Sequence, residues 1–177
     1  MKISNILLLF CLTSICLLSA CNSVDKQEYV SWLQNSENEF HQQRSINSIT
    51  LDVQYADSAY QKIKDNVEEP IAHVFYIHIL GDSKNRELVS AVSAENYSYF
   101  SFSFEKDIYI EKDNKKYPCK LFHYEQSHGK LGELYFIVGF ELQDSKSSPI
   151  KLVINPEPLQ TGPVKFTFDL SKLPLVE

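Results

Sequence analysis

The histidines are the first residues in the sequence that could do chemistry, because imidazole serves both as a metal ligand and as a base near neutral pH. There are five: His41, His73, His78, His123 and His128. His73 and His78 stand five apart in an apolar run that reads as a strand, so their side chains point to opposite faces and cannot hold one ion together. His123 and Glu125 are two apart and share a face, with Cys119 shortly upstream. A thiol, an imidazole and a carboxylate are the parts of a Cys/His nucleophile. Convergence of Cys119, His123 and Glu125 in one open pocket would therefore make the chain a small hydrolase. As metal ligands, His123 and Glu125 fall short of the three or four protein ligands that zinc takes, and no metal or other cofactor is expected. The carboxylate pairs Glu68-Glu69 and Glu105/Asp107 sit at expected turns, where solvation explains them. The sequence holds no G-x-S-x-G, no H-E-x-x-H and no glycine-rich phosphate loop, so the expectation is a protein that is not an enzyme. Tyr97, Tyr99 and Tyr109 remain, on the polar parity of predicted strands. A row of exposed tyrosines can stack on sugar rings or on a partner protein.

A different chemistry is written at the start of the chain. Lys2 precedes an apolar stretch from Ile6 to Leu18, followed by Leu18-Ser19-Ala20-Cys21. This resembles a bacterial lipobox, in which small residues fit the signal peptidase and the Cys thiol accepts a diacylglyceryl group before cleavage. The stretch is shorter than the roughly 20 apolar residues that span a bilayer, and no positive run follows Cys21. The expectation is a signal peptide over 1–20 and a permanent anchor through acyl (palmitate-type) chains on Cys21, each buried methylene contributing about 0.8 kcal/mol. Asn22, where Asp would signal retention, resembles the sorting pattern for outer-membrane delivery in double-membraned bacteria.

Composition bounds the rest. Of 177 residues, 44% are hydrophobic, 12% aromatic and only 5 are Gly, which is enough apolar material for one packed domain and excludes collagen-like or disordered readings. The formal charge is −6, and losing Lys2 with the leader makes it one unit more negative. Nucleic acid is excluded as a partner: the densest basic stretch, Lys112, Lys115, Lys116 and Lys120, is interrupted by Asp113 and reads as a solvated turn. Cys119 is the one thiol left after the leader, so no internal disulfide can form.

The elements that must position these residues follow from periodicity. Residues 21–45 read as the lipidated Cys, a tether and a short helix capped by Asp25 with Tyr29, Trp32 and Leu33 on one side. From Ile46 the period becomes two. Ile49 to Tyr55 alternates as a strand with one wet face, Asp57 caps a brief helix ending near Asn66, and Ile71 to Leu80 is apolar on both parities, as a central strand should be. A short helix is expected over Asn85 to Ala94. Phe100, Phe102 and Phe104 share one parity and predict a strand with three phenylalanines facing the core. Further strands are expected at Ile108–Ile110, Cys119–Glu125, Leu134–Leu142, Ile150–Ile154 and Val164–Leu170. With no helix long enough for a parallel crossover, the fold class is all-β with minor α: an antiparallel β-sandwich over 46–177, immunoglobulin-like in architecture, with a short N-terminal helix.

The segments Tyr29-Val30-Ser31-Trp32-Leu33, Tyr117-Pro118-Cys119-Lys120-Leu121-Phe122-His123-Tyr124-Glu125 and Phe136-Ile137-Val138-Gly139-Phe140 resemble small uncharacterised envelope lipoproteins of double-membraned bacteria. The resemblance implies a lipid-anchored protein of the cell envelope and transfers no activity. The expected function is a non-enzymatic binding or assembly accessory whose partner is an envelope protein or glycan. The alternatives are a small envelope hydrolase and an inhibitor of a cell-wall-degrading enzyme.

Overall fold

A computed structural model describes residues 23–90, 93–125, 131–142 and 149–177. The expected lipobox with Cys21, and His128, lie outside the described residues. No helix among the described residues is long and apolar enough to cross a membrane.

The described chain is mostly β, with three α-helices and two antiparallel sheets. The chain begins with β1 (Ser23–Val24) and α1 (Lys26–Gln34), whose N-terminus is capped by the Asp25 carboxylate accepting from the Gln27 and Glu28 amides. Next come β2 (His41–Ile46), β3 (Ile49–Asp57), α2 (Ser58–Lys64) and β4 (His73–Gly81). After them stand α3 (Ala94–Phe102), β5 (Ile108–Lys112), β6 (Lys115–Pro118), β7 (Leu121–Glu125) and β8 (Glu133–Phe140). The chain closes with β9 (Ile150–Ile154), β10 (Val164–Phe168) and β11 (Leu175–Val176). One sheet has the order β2-β3-β4-β8-β7 and the other β10-β9-β5-β6, while β1 pairs in parallel with β11.

Two-residue turns explain the tight hairpins. Asn47 and Ser48 join β2 to β3, and Asp113 and Asn114 join β5 to β6, all four with positive φ. Two successive left-handed residues match the twist of paired strands, and Asn and Asp tolerate that conformation best among residues with a side chain.

The inward parities of both sheets meet in one core. Phe168 of β10 lies 5.2 Å from Phe75 of β4 and 5.8 Å from Tyr55 of β3, ring centre to ring centre. Phe40, just before β2, bridges Trp32 of α1 (5.4 Å) to Tyr55 (5.7 Å), so the lone Trp anchors the first helix. The expected central strand is β4, paired on both sides, and the brief helix after Asp57 is α2, capped by Asp57 accepting from the Tyr60 amide.

Three expectations about secondary structure are corrected. The run Tyr97 to Phe102, expected as a strand, is α3, with Phe104 in a 3-10 turn behind it. Ser93 Oγ accepts from the Asn96 amide, and the Asn96 side chain donates back to the Leu88 and Ser90 carbonyls, which starts a helix there. Phe100 and Phe104 are buried and pack 6.0 and 4.8 Å from Phe136, whereas Phe102 is 66% exposed. Of the helix expected over Asn85 to Ala94, the part from Asn85 to Ser90 gives way to turns and bends, with the Asp82 carboxylate accepting from the Lys84 and Asn85 amides. Finally, β2 extends the five-stranded sheet through residues expected to belong to the tether and helix segment. Its sequence, His-Gln-Gln-Arg-Ser-Ile, is polar because it is an edge strand.

Candidate functional site

The tyrosines expected in one row are dispersed. Tyr97 and Tyr99 are two apart on α3, which sends them to different sides of the helix. Tyr97 is 40% exposed and meets Phe102 edge-on at 6.3 Å. Tyr99 is half-buried, donates to Asp107 Oδ2 at 2.6 Å and accepts from the Glu157 amide, so its hydroxyl fastens α3 to two loops. Tyr109 does lie on a strand, β5, but Lys116 Nζ sits 4.3 Å over its ring and occupies that face. No shared tyrosine platform results.

Nor do Cys119, His123 and Glu125 gain a thiolate chemistry. His123 and Glu125 share the exposed parity of β7, as expected. Cys119 precedes the strand, packs partly against the core and donates to the Leu121 carbonyl at 2.8 Å. Burial pushes its thiol up to about 11, so at neutral pH it is a protonated thiol. Among the described residues, no group of three or more His, Cys, Asp or Glu side chains could hold a metal ion.

What the structure does assemble is the outer face of the five-stranded sheet. Strand register places Gln43, Asp52, His78, Tyr135 and Glu125 in one row across β2, β3, β4, β8 and β7. The next row is His41, Gln54, Tyr76, Ile137 and His123. The residues of these rows on β3, β4 and β8 are outward because their sequence neighbours, among them Leu51, Val53, Ile77, Leu134 and Phe136, are buried on the inward parity. Every backbone group in the floor's central strands is committed to the ladders, so the side chains alone present chemistry to a ligand.

Those side chains are held in place. His41 Nε2 is 2.7 Å from Asp52 Oδ1, and its Nδ1 is 3.0 Å from the Gln34 carbonyl at the end of α1. Gln43 Nε2 donates to the other Asp52 oxygen at 3.1 Å. His78 stacks on Tyr135, with ring centres 3.9 Å apart and planes 17° from parallel. The Tyr135 hydroxyl donates to Glu133 Oε2 at 3.0 Å, and that oxygen is 3.9 Å from His78 Nε2. Burial, the Glu133 hydrogen bond and the nearby Glu125 charge all raise the Tyr135 phenol, so it stays a donor. Tyr76 donates to Asp65, and burial with that carboxylate holds its phenol far above the usual range. The buried Tyr60 of α2 fixes Gln54 from behind, its hydroxyl accepting from both Gln34 (3.0 Å) and Gln54 (3.2 Å).

The result is a shallow depression of about 290 Å³, lined by His41, Asp52, Tyr76, His78, Glu125 and Tyr135 among others. Aromatic rings make its floor, and carboxylates stand at either side. None of the outward positions in its two rows is Lys or Arg. The opposite, four-stranded sheet is the reverse in charge: register aligns Lys116, Glu111 and Lys151, and Lys165 Nζ reaches Glu111 at 3.1 Å. Of this site the sequence alone points to His41, His78, His123 and Glu125, and gives the strand Ile49 to Tyr55 the wet face that carries Asp52 and Gln54. Tyr76 and Tyr135 lie in runs apolar on both parities, which masked them. None of the protein-family models, the curated proteins or the solved structures compared with the chain matches it.

Proposed function

We propose that the protein is a lipid-anchored, non-enzymatic binding module of the cell envelope, held at the outer membrane through acyl chains on Cys21. Its two sheets stack as an antiparallel sandwich, immunoglobulin-like in having two antiparallel layers over a common aromatic core, and the open face of the five-stranded layer receives an envelope glycan. One observation carries the reading: the stacked His78 and Tyr135 pair, set in a row of side-chain donors and acceptors over central strands that are paired on both sides. The stacked rings cover one face of each other and leave apolar ring edges to a sugar, while Gln, Asp, Glu and Tyr offer partners to its hydroxyls, and such sites are pre-formed where neighbouring hydrogen bonds fix the side chains. The lipobox-like run Leu18-Ser19-Ala20-Cys21 behind an apolar stretch supports the anchor.

Two measurements test the proposal. Mass spectrometry of the membrane-extracted protein should return an N-terminal peptide starting at an acylated Cys21; an unmodified thiol behind an intact start methionine would overturn the anchor. The same preparation applied to arrayed envelope glycans should bind a subset, and Tyr135→Ala should abolish that binding. Binding unchanged in Tyr135→Ala, or none at all, would overturn the reading of the face.

A further inference from the structure

Resting on the anchor at Cys21 proposed above, the pairing of β1 with β11 decides how the domain meets the bilayer. We propose that the β1–β11 ribbon is a lipid-docking surface: the face that carries Ser23 and Leu175 lies on the membrane, with the Leu175 side chain at the boundary between headgroups and acyl chains.

The reach of the chain brings the ribbon there. A single residue, Asn22, separates Cys21 from Ser23, and Ser23 is already paired with Leu175. Two peptide steps span at most about 7 Å, so an acylated Cys21 holds Ser23 within that distance of itself. Ser23 is not the loose end of a tether. The Val24 carbonyl accepts from the Glu177 amide, the Ser23 hydroxyl donates to the Glu177 carboxylate, and Asp25 at once caps α1, whose Tyr29 and Leu33 are buried in the core. A domain fixed this close to its anchor has to set part of its own surface on the bilayer, and the ribbon is the nearest part.

That surface is apolar where it meets lipid. Val24 and Val176 pack against the core, so their neighbours Ser23 and Leu175 project from the opposite face. Leu175 is 66% exposed. One exposed leucine is ordinary on a protein surface. This one stands directly beside the residue closest to the anchor, where the membrane interface removes its apolar area from water. Charge supplies no rival hold: Lys172 is paired with Glu39, and Lys26 lies between Asp25 and Glu28. The contact is therefore apolar and needs no anionic lipid.

The test is tryptophan quenching in the full-length, lipidated protein, reconstituted into vesicles of phosphatidylcholine brominated along its acyl chains, with and without phosphatidylglycerol. Leu175→Trp is compared with Phe102→Trp, an equally exposed position, so neither change threatens the fold. Position 102 is remote: α3 leads into the Ile108–Ile154 end of the four-stranded sheet, whereas β11 follows Phe168, paired with Ile150 at the other end. The native protein, with Trp32 alone, gives the background. The indole introduced by Leu175→Trp should be quenched about threefold more than that of Phe102→Trp, as expected at interfacial depth, and equally in both vesicle types. Equal quenching of the two variants in protein that floats with the vesicles would overturn the docking surface and leave the anchor standing. A blue-shifted but unquenched indole in Leu175→Trp would put a second copy of the chain over the leucine and overturn the proposal. Quenching that requires phosphatidylglycerol would overturn its apolar basis. Protein that does not float with the vesicles would overturn the anchor and the docking together.

Discussion

His78 and Tyr135 lie face to face across the β4–β8 ladder, ring centres 3.9 Å apart, directly opposite each other in register. Neither strand's own sequence requires that contact. It follows from the inward parity, since burying Ile77 and Phe136 on one side leaves this pair together on the other.

The stack should be measurable as stability. Tyr135→Phe keeps the rings and loses the hydrogen bond to Glu133, an expected cost of at most about 1 kcal/mol. Tyr135→Ala loses both, with about 0.5–1.5 kcal/mol more for the aromatic pair. Urea unfolding of the two variants measures the difference, and equal destabilisation would show that the stack contributes nothing.

A second prediction concerns pH. His73 is 2% exposed, shares a 2.9 Å hydrogen bond with the Tyr55 hydroxyl, and its Nε2 has no hydrogen-bond partner among the described residues. Burial, and then the positive charge of Lys112, lower it from 6.5 to about 4. Between those values the unfolded chain holds the proton and the folded chain does not. His73 therefore contributes full stability above pH 6.5, and that contribution fades as pH falls towards 4. At pH 4.5 the expected loss relative to pH 8 is about 2–3 kcal/mol. Denaturant unfolding at both pH values should show this loss in the native protein and not in the Tyr55→Phe/His73→Phe double variant.

The helical assignment of α3 makes a prediction that a strand would not. Phe100→Ala and Phe104→Ala should each cost about 3–5 kcal/mol, as buried phenylalanines do. Phe102→Ala should stay within about 0.5 kcal/mol of the native protein, as exposed positions do. Three equal losses in thermal unfolding would mean that all three rings face the core.

Cys119 gives a chemical check. With its thiol pushed up to about 11, labelling by a disulfide reagent at pH 7.5 should be far slower in the folded protein than in urea, because the thiolate is the reacting form. Rapid labelling of the folded protein would reopen a nucleophilic role.

The alternating residues of β3, β8 and β10, and the two Asp caps at residues 25 and 57, were legible in the sequence because each is a local signal. Strand alternation needs only neighbours in the chain, and a cap needs only the next three amides. Phe100, Phe102 and Phe104 satisfy two periods at once. They alternate as a strand would, yet Phe100 and Phe104 are also four apart as a helix requires, and the packing of Phe136 against both decided between the two. For β2 the signal was present in Asn47-Ser48, a turn of two left-handed residues, but a polar edge strand has no apolar stripe to announce it.

The sequence by itself determined that the chain opens with an apolar stretch ending in Leu18-Ser19-Ala20-Cys21, that a β-rich domain follows with enough aromatic residues to fill a core, and that G-x-S-x-G, H-E-x-x-H and a glycine-rich phosphate loop are missing from it. Only the tertiary structure decided which polar residues stand together. Asp52, His78, Tyr135 and Glu125 come from four strands far apart in the chain, and their row exists because each strand must turn its apolar parity inward against the same core. Register is a property of pairing between distant segments, so a site made by register is written in no single segment.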